Sequence, residues 1–370
     1  MARNRVIYQS EALYVSQDAS STGKTAHEQL QRVQSANYSF NISRQDINQF
    51  GQLSRIDSIV LEAPTVSFDT TYYLGDGFNE ECLGFAKDFA IGFASGHMTA
   101  SSGKNFYIVT EAEGIDINSS DTAPNSVIGI GNAYLTDYTI DASVGSIPTV
   151  STSFEAANIN STSSLSGSAD GISGIFSPAI SQAEGSVIDN QIELPSPTTG
   201  VGSITALRPG DISITFGNAS TDAEDGPIVD IVGTADGAHI QSASLSLSMS
   251  RSPLERLGSR FPFARTVDFP VNASLSVSAI VNEVTAANLA NIIDNQNGVT
   301  VQLTFNERGT STAAASYKLV NAKLDSESFS SAIGSNKTVD LTFSTQIGGP
   351  ADTTNNILFS GASNENPFSA

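Results

Sequence analysis

Apolar and polar residues alternate with a period of two through several stretches of this chain, and two of those stretches are copies of one another. In RVQSANYSFNISRQDINQFGQ, residues 32 to 52, Ala36, Tyr38, Phe40 and Ile42 alternate with Ser35, Asn37, Ser39, Asn41 and Ser43. In HIQSASLSLSMSRSPLERLGS, beginning at His239, Ala243, Leu245, Leu247 and Met249 alternate with Ser242, Ser244, Ser246, Ser248 and Ser250. Successive side chains of a strand point to opposite faces, so each stretch predicts a strand with one buried apolar face and one small polar face. A slip of one residue would expose the whole apolar set, which specifies the register. A shift of 207 positions, without a gap, takes Gln34, Ser35, Ala36, Ser39, Ser43, Arg44 and Gly51 onto Gln241, Ser242, Ala243, Ser246, Ser250, Arg251 and Gly258. Such a self-repeat predicts a duplicated domain.

The same shift carries a second alternating strand, Val66, Phe68, Thr70, Tyr72 and Leu74, onto Ala273, Leu275, Val277, Ala279 and Val281. Between the two strands of each copy the alternation breaks, at Arg44–Ile56 and Arg251–Phe263. There the spacing Arg-x-x-aliphatic-x-x-Phe/Leu-Gly predicts a long projecting loop with Ile47, Phe50, Leu254 and Leu257 near its tip. A helical turn ended by glycine is the other reading, and Pro253 and Pro262 disfavour a regular helix or a central strand.

Further strands are predicted at Val6–Ser16, Phe106–Thr110 and Val299–Asn306. Each copy admits one short helix, at Asn79–Phe89 and at Thr285–Asp294, with Thr285 as N-cap, and Thr25–Arg32 admits another. Downstream the shift drifts to about 184 to 189, with Tyr134–Asp141 resembling Tyr317–Asp325 and Pro148–Phe154 resembling Lys337–Phe343. Gly174–Ala179 resembles Ile357–Ala362 at the ends of the copies. The chain therefore divides into residues 1–181 and 182–370, with a Pro/Gly-rich linker or insertion at about 182–238. That insertion should hold the second copy's first strand, at Ile212–Phe216 or Ile228–Val232.

Composition narrows the function. The 370 residues carry 38 Asp+Glu against 17 Lys+Arg, a formal net charge of −21. Gripping nucleic acid through its phosphates needs clustered cations, which this balance disfavours, whereas letting nucleic acid pass without sticking remains compatible with it. The single cysteine, Cys82, excludes an internal disulfide, and no Cys/His cluster offers a zinc site. No stretch has the apolar length of a signal h-region or a membrane span, so a chain made and used without secretion signal or membrane insertion is expected.

Candidate chemistry is sparse. Asp18-Ala-Ser-Ser-Thr-Gly-Lys-Thr25 ends like a phosphate-binding loop but has Asp18 where that loop needs glycine, and reads as a flexible loop. His27, His97 and His239 are isolated in sequence, and Cys82 reads as a packed thiol. Asp222-Ala-Glu-Asp-Gly226 lacks the alternating ligands of a calcium loop, and Asp76, Glu80 and Glu81 read as loop and helix-start charges. The Ser/Asn faces are more informative. They are either the solvent face of an antiparallel sheet or a wall lining a passage.

The order strand, interrupted hairpin, strand, short helix and further strands resembles the tail tube (major tail) proteins of long-tailed bacteriophages. The wording YSFNISRQDINQFGQ, LEAPTVSFDTTYYLGDGFNEECLGF and NNILFSGAS is similar to that family too. The resemblance implies a mainly β chain of two tandem β-sandwich or half-barrel tail-tube domains, each with a short flanking α-helix. It further implies a structural virion protein, without enzymatic activity or cofactor, assembled in the bacterial host cytoplasm. Three duplicated chains would make a pseudo-hexameric ring, and rings would stack into a tube that conducts DNA during ejection.

On this reading Arg44, Ile47, Phe50, Gly51, Arg251, Leu254, Leu257 and Gly258 form ring-stacking loops. Ser35, Asn37, Ser39, Asn41, Ser43, Ser242, Ser244, Ser246, Ser248 and Ser250 face an electronegative lumen. Partners would be further copies of the chain and the tape-measure, terminator and distal tail proteins, with DNA passing unbound. The alternative is a β-rich binding module such as a phage adhesin or head-decoration protein. A nucleotide hydrolase stands third, and ATP or GTP is expected to leave the melting temperature unchanged. A saturable rise would restore the phosphate loop at Asp18–Thr25.

Overall fold

The computed structural model describes residues 11–21, 23–61, 63–99, 103–111, 117, 126–162, 166–168, 171–176, 178, 191–196, 206–218, 238–258, 261–281, 298–331, 336–363 and 367–368. They are mainly β, as the alternation predicts. The first strands are β1 (Glu11–Ser16), β2 (His27–Gln29), β3 (Val33–Asn41), β4 (Arg44–Ile47), β5 (Asp57–Val60) and β6 (Thr65–Tyr73). Helix α1 (Phe78–Leu83) precedes β7 (Lys104–Thr110), β8 (Ser126–Ser143), β9 (Thr149–Ala156) and β10 (Asn158–Thr162). A separate three-stranded sheet follows, β11 (Ser166–Ser168), β12 (Gly171–Phe176) and β13 (Gln191–Leu194). Then come β14 (Ile212–Asn218), β15 (Ala238–Ser248), β16 (Arg251–Leu254), β17 (Ala264–Val267) and β18 (Val271–Val281). The last are β19 (Val299–Asn306), β20 (Ala313–Ser330), β21 (Thr338–Ile347) and β22 (Ile357–Gly361).

Eight strands lie side by side, all antiparallel, in the order β3–β6–β9–β8–β15–β18–β21–β20. The last four repeat the first four, and β8–β15 is the seam. Tyr38 opposes Phe68 in the first unit and Leu245 opposes Leu275 in the second, both steps of 207. The irregularities repeat as well. β3 bulges between Val33 and Ser35, and β15 between Ile240 and Ser242. At these bulges Gln34 donates its side-chain amide to the Arg32 carbonyl at 3.1 Å, and Gln241 donates to the His239 carbonyl at 3.2 Å.

Further along, the step is 189. Ile140 opposes Val150 as Phe329 opposes Val339, and β8 bulges between Leu135 and Asp137 as β20 does between Leu324 and Ser326. Asn132 and Asn321 both adopt left-handed backbone, φ 54 and 53, a conformation that asparagine tolerates. This corrects the expected match of Tyr134–Asp141 with Tyr317–Asp325, because by ladder position Tyr317 stands where Ile128 does. The two tyrosine-led words are alike without being equivalent.

β8 and β20 are long enough to serve two layers. Their first halves pair with β7 and β10, or with β19 and β22, and those layers continue to β1 and to β14 respectively. Ile212–Asn218 is therefore the second copy's counterpart of β1, as expected, while Ile228–Val232 lies outside the described residues. β22 sits on β20 where β10 sits on β8, so the counterpart of Ile357–Gly361 is Asn158–Thr162 rather than the expected Gly174–Ala179 stretch. The apolar faces of both layers meet in one core, where the Phe106 ring lies 4.7 Å from Phe68 and 4.8 Å from Phe154. Burying each such side chain stabilises the fold by about 1.5–3 kcal/mol.

Two helix expectations change. Thr25–Arg32 is a 3-10 turn, Lys24–Ala26, followed by β2, because His27–Gln29 completes a ladder with β1. α1 ends at Leu83 because Gly84 adopts φ 100, a left-handed stop. The Thr285–Asp294 helix lies outside the described residues.

Gly77 precedes α1 at φ 90, and a Cβ there would lie 2.8 Å from the Phe359 ring and 3.1 Å from the Gly361 backbone. Gly51 has φ 89 with nothing within 4 Å. Gly51→Ala is expected to cost only left-handed strain, roughly 1–2 kcal/mol, and Gly77→Ala more, because the Gly361 backbone cannot yield. Urea unfolding midpoints compare the two, and equal shifts would refute the tight contact at Gly77.

Candidate assembly surfaces

The polar face of the eight-stranded sheet follows from the pleat. Ser35, Asn37, Ser39 and Asn41 lie on β3, and Ser242, Ser244, Ser246 and Ser248 on β15, with Ser43 and Ser250 just past the strand ends. Directly opposite residues share a face, so this one also carries Asp69 (opposite Asn37), Asp141 (opposite Ser244), Asp137 (opposite Ser248) and Asp340 (opposite Ser278). Ser153 Oγ donates to Asp69 Oδ1 at 2.7 Å and Ser244 Oγ to Asp141 Oδ1 at 2.6 Å, while Ser246 and Ser274 bond to each other at 2.8 Å. Among the described residues cations are confined to its margin, where Lys323 opposes Ser344 and Arg265 pairs with Glu155 at 2.8 Å. The face is acidic as well as small and polar. Asp137-x-Thr139-x-Asp141-x-Ser143, interleaved with Tyr138, Ile140 and Ala142, held that signal in the sequence.

The apolar face behaves differently in the two copies. In β15, Ala243, Leu245 and Leu247 are buried, with Met249 just beyond. In β3, the expected burial fails for Tyr38 and Phe40, 40% and 57% exposed, and for the adjoining Ile42. The cause is position. β15 is flanked by β8 and β18, whereas among the described residues β3 pairs with β6 alone. The other end of the sheet is also open among the described residues, where Asp325–Ser330 of β20 pairs only with β21 and Phe329 is 51% exposed.

The expected projecting loops are two-stranded ribbons with short tips. β4 pairs with β5 and β16 with β17, Arg44 opposite Val60 and Arg251 opposite Val267. Ile56 N–H donates to Ile47 O at 2.8 Å, and Phe263 N–H to Leu254 O at 2.9 Å, again a step of 207. Gly51 and Gly258 turn the tips at φ 89 and 86. Phe50, Leu53 and Leu257 are fully exposed there, and Ile47 and Leu254 partly so. Pro253 is accommodated in β16 because a two-stranded ribbon leaves one side of each strand without ladder partners. Arg44 is exposed, but Arg251 is drawn inward. Its guanidinium lies 4.8 Å over the Tyr134 ring and donates to the His97 carbonyl, and burial lowers its pKa to about 10. It anchors the root of its arm.

A buried polar centre ties the copies together. Glu80 of α1 accepts a hydrogen bond from Tyr72 at 2.9 Å, with the Tyr138 hydroxyl at 3.4 Å, and Tyr138 bonds to Tyr317 of the second copy at 2.9 Å. Nearby, Asp76 meets Arg32 at 3.4 Å and accepts the Ser363 N–H at 3.0 Å through its carbonyl. Lys87 pairs with Glu81 and donates to the Ser363 carbonyl at 2.9 Å. Glu80 and Asp76 thus fasten an interface rather than mark a surface.

The remaining candidates do not converge. Asp18 Oδ1 accepts both the N–H and the hydroxyl of Ser20, at 2.7 and 2.6 Å, occupying a donor that a phosphate would need. His27 Nδ1 bonds the Gly23 carbonyl at 2.9 Å, His97 is buried and His239 is exposed. Burial pushes the Cys82 thiol up. Among the described residues no three His, Cys, Asp or Glu side chains could hold a metal ion, and no helix is long and apolar enough to cross a membrane. Asp222–Gly226 lies outside the described residues.

No protein-family model and no curated protein matches this chain. Among solved structures it is similar to a chain of the anti-feeding prophage (AFP) baseplate, 6-fold symmetrised, at 12% identity and a TM-score of 0.29, over 45% of this chain and 99% of that one. It is also similar to Hcp protein, at 12% identity and a TM-score of 0.22, over 40% of this chain and 98% of that one.

Burial is the main cause that raises the Glu80 pKa above the ordinary carboxylate range. A carboxyl whose folded pKa is raised favours folding fully below its unfolded pKa, and that contribution is lost as pH rises through the folded value. Glu80→Gln removes the titration and keeps an acceptor for Tyr72. The stability of wild type relative to Glu80→Gln is expected to fall as pH rises from about 4 towards neutrality. Urea unfolding across that range measures it, and a pH-independent difference would rule out a raised pKa.

Proposed function

We propose that this protein is a non-enzymatic structural component of a phage tail and that its activity is assembly. Three chains close into a pseudo-hexameric ring, and rings stack into the tail tube through which DNA is ejected into the host. One observation carries this reading. Two equivalent four-stranded units lie side by side in one sheet whose outer edges are both unpaired among the described residues. Open strand edges with apolar side chains invite uncontrolled association unless a fixed partner covers them. A repeated head-to-tail contact that closes on itself makes a ring.

The other surfaces fit the same reading. Exposed apolar residues at Phe50, Leu53 and Leu257 suit contacts between stacked rings, because isolated apolar tips gain from burial in a neighbour. The Ser/Asn faces with Asp69, Asp137, Asp141 and Asp340 suit a lumen. Like charge repels phosphate over a screening length of about 8 Å in physiological salt, and small hydroxyls give a passing polyanion few lasting contacts. No cofactor is required, and partners would be further copies and the tape-measure, terminator and distal tail proteins.

Negative-stain microscopy of the purified chain is expected to reveal three-fold rings stacked into tubes. Monomers that never polymerise, even with tail partners, would favour the adhesin or decoration reading instead. The triple variant Phe50→Ser, Leu53→Ser, Leu257→Ser is expected to keep rings and lose most tube length, and unchanged tubes would remove the arms from the stacking contact.

A further inference from the structure

We infer that β20 of one chain pairs antiparallel with β3 of the next, in the register that the internal seam between β8 and β15 already displays. The inference rests on the ring reading above and adds which edges join, and how. The two edges are the two halves of a joint that the chain contains once in complete form. β3 is the equivalent of β15 by the step of 207, and the second half of β20 is the equivalent of that of β8 by the step of 189. Neither step is a matter of sequence likeness alone. The first is fixed by the shared bulges at Gln34 and Gln241, the second by the shared bulges after Leu135 and Leu324 and the left-handed Asn132 and Asn321.

Carrying the seam across by these steps gives the joint. Leu245 opposite Ile140 becomes Tyr38 opposite Phe329, two of the exposed aromatic residues at the open edges. Ser246 opposite Thr139 becomes Ser39 opposite Ser328, and Ser248 opposite Asp137 becomes Asn41 opposite Ser326. Met249 N–H donates to the Thr136 carbonyl at 2.7 Å, so Ile42 N–H would donate to the Asp325 carbonyl of the adjoining chain. On the apolar side of the joint Glu327 stands in for Tyr138 opposite Phe40, and Asp325 lies opposite Ile42 at the strand end. The register therefore covers Tyr38 and Phe329 with each other while continuing the polar face unbroken from chain to chain.

Geometry also selects the test. The bonds Met249 N–H to Thr136 O and Val144 N–H to Gln241 O mark the hydrogen-bonded pairs of the seam, which leaves Ser246–Thr139 as a non-hydrogen-bonded pair. Such pairs bring Cα atoms to about 4.5 Å, within disulfide reach, whereas a partner two residues away is about 7–8 Å off. The full chain carrying Ser39→Cys and Ser328→Cys is assembled, oxidised with diamide and run without reductant. Native Cys82 is buried and does not compete. A covalent ladder ending at three chains is expected, with at least about fivefold less product from Ser39→Cys with Ser326→Cys.

Rings in the microscope without the Ser39–Ser328 cross-link would overturn the register and leave the ring reading standing. Absence of both rings and cross-link would overturn both. Dimers from Ser39→Cys alone would mean that β3 pairs with itself, against the inference. Independently, Phe329→Asp alters an exposed side chain, so monomer circular dichroism is expected to persist while rings are lost, and persistent rings would overturn the pairing.

Discussion

The antiparallel contact between β8 and β15 is the constraint on which the rest of the molecule depends. It sets two four-stranded units in one sheet, with Leu245 against Ile140 and Leu247 against Tyr138 on the core side and Ser244 against Asp141 on the other. Without it neither unit would have a neighbour along that edge, and β15 would lie as open as β3 does. The second layers add to the seam from beneath. Tyr138 of β8 reaches Tyr317 of β20, and Phe93, from the connection after α1, stacks edge-on against Tyr317 and Phe359. Position in the sheet, more than residue type, decides what is buried.

Much of this was legible in the chain itself. The period of two and the constant shift of 207 located β3, β6, β15 and β18, their pairing and their polar faces, because a bulge kept in both copies leaves the count between them unchanged. The arms were legible as interruptions, with Ile47, Phe50, Leu254 and Leu257 placed near their tips. What failed was local wording used as a guide to equivalence. Tyr134 and Tyr317 open similar words but sit at different ladder positions, since their likeness comes from a shared preference for aromatic and β-branched residues in strands. His27–Gln29 had no strong pattern of its own and became a strand through pairing with β1.

The candidate surfaces were legible in kind and incomplete in content. Alternation named an apolar and a polar side for β3, but nothing along the chain says that no described strand covers Tyr38 and Phe40. The carboxylates of the polar face come from β8 and β21 as well as β6, and only the cross-strand register brings them beside the serines. Arg251 and Arg44 occupy matched positions, yet Tyr134 and the His97 carbonyl draw only Arg251 inward.

The seam also has a kinetic meaning. Two domains on one chain meet at an effective concentration set by the connection between them, commonly in the millimolar range for short flexible tethers, whatever the amount of protein in the cell. The translational and rotational freedom lost on association is then given up at only half of the joints in any closed ring of such chains. The inner joint is free to settle on aliphatic residues, Leu245 and Ile140, at folding. In such a ring, joints between separate molecules would form later and respond to supply, so the duplication would separate folding from growth in time.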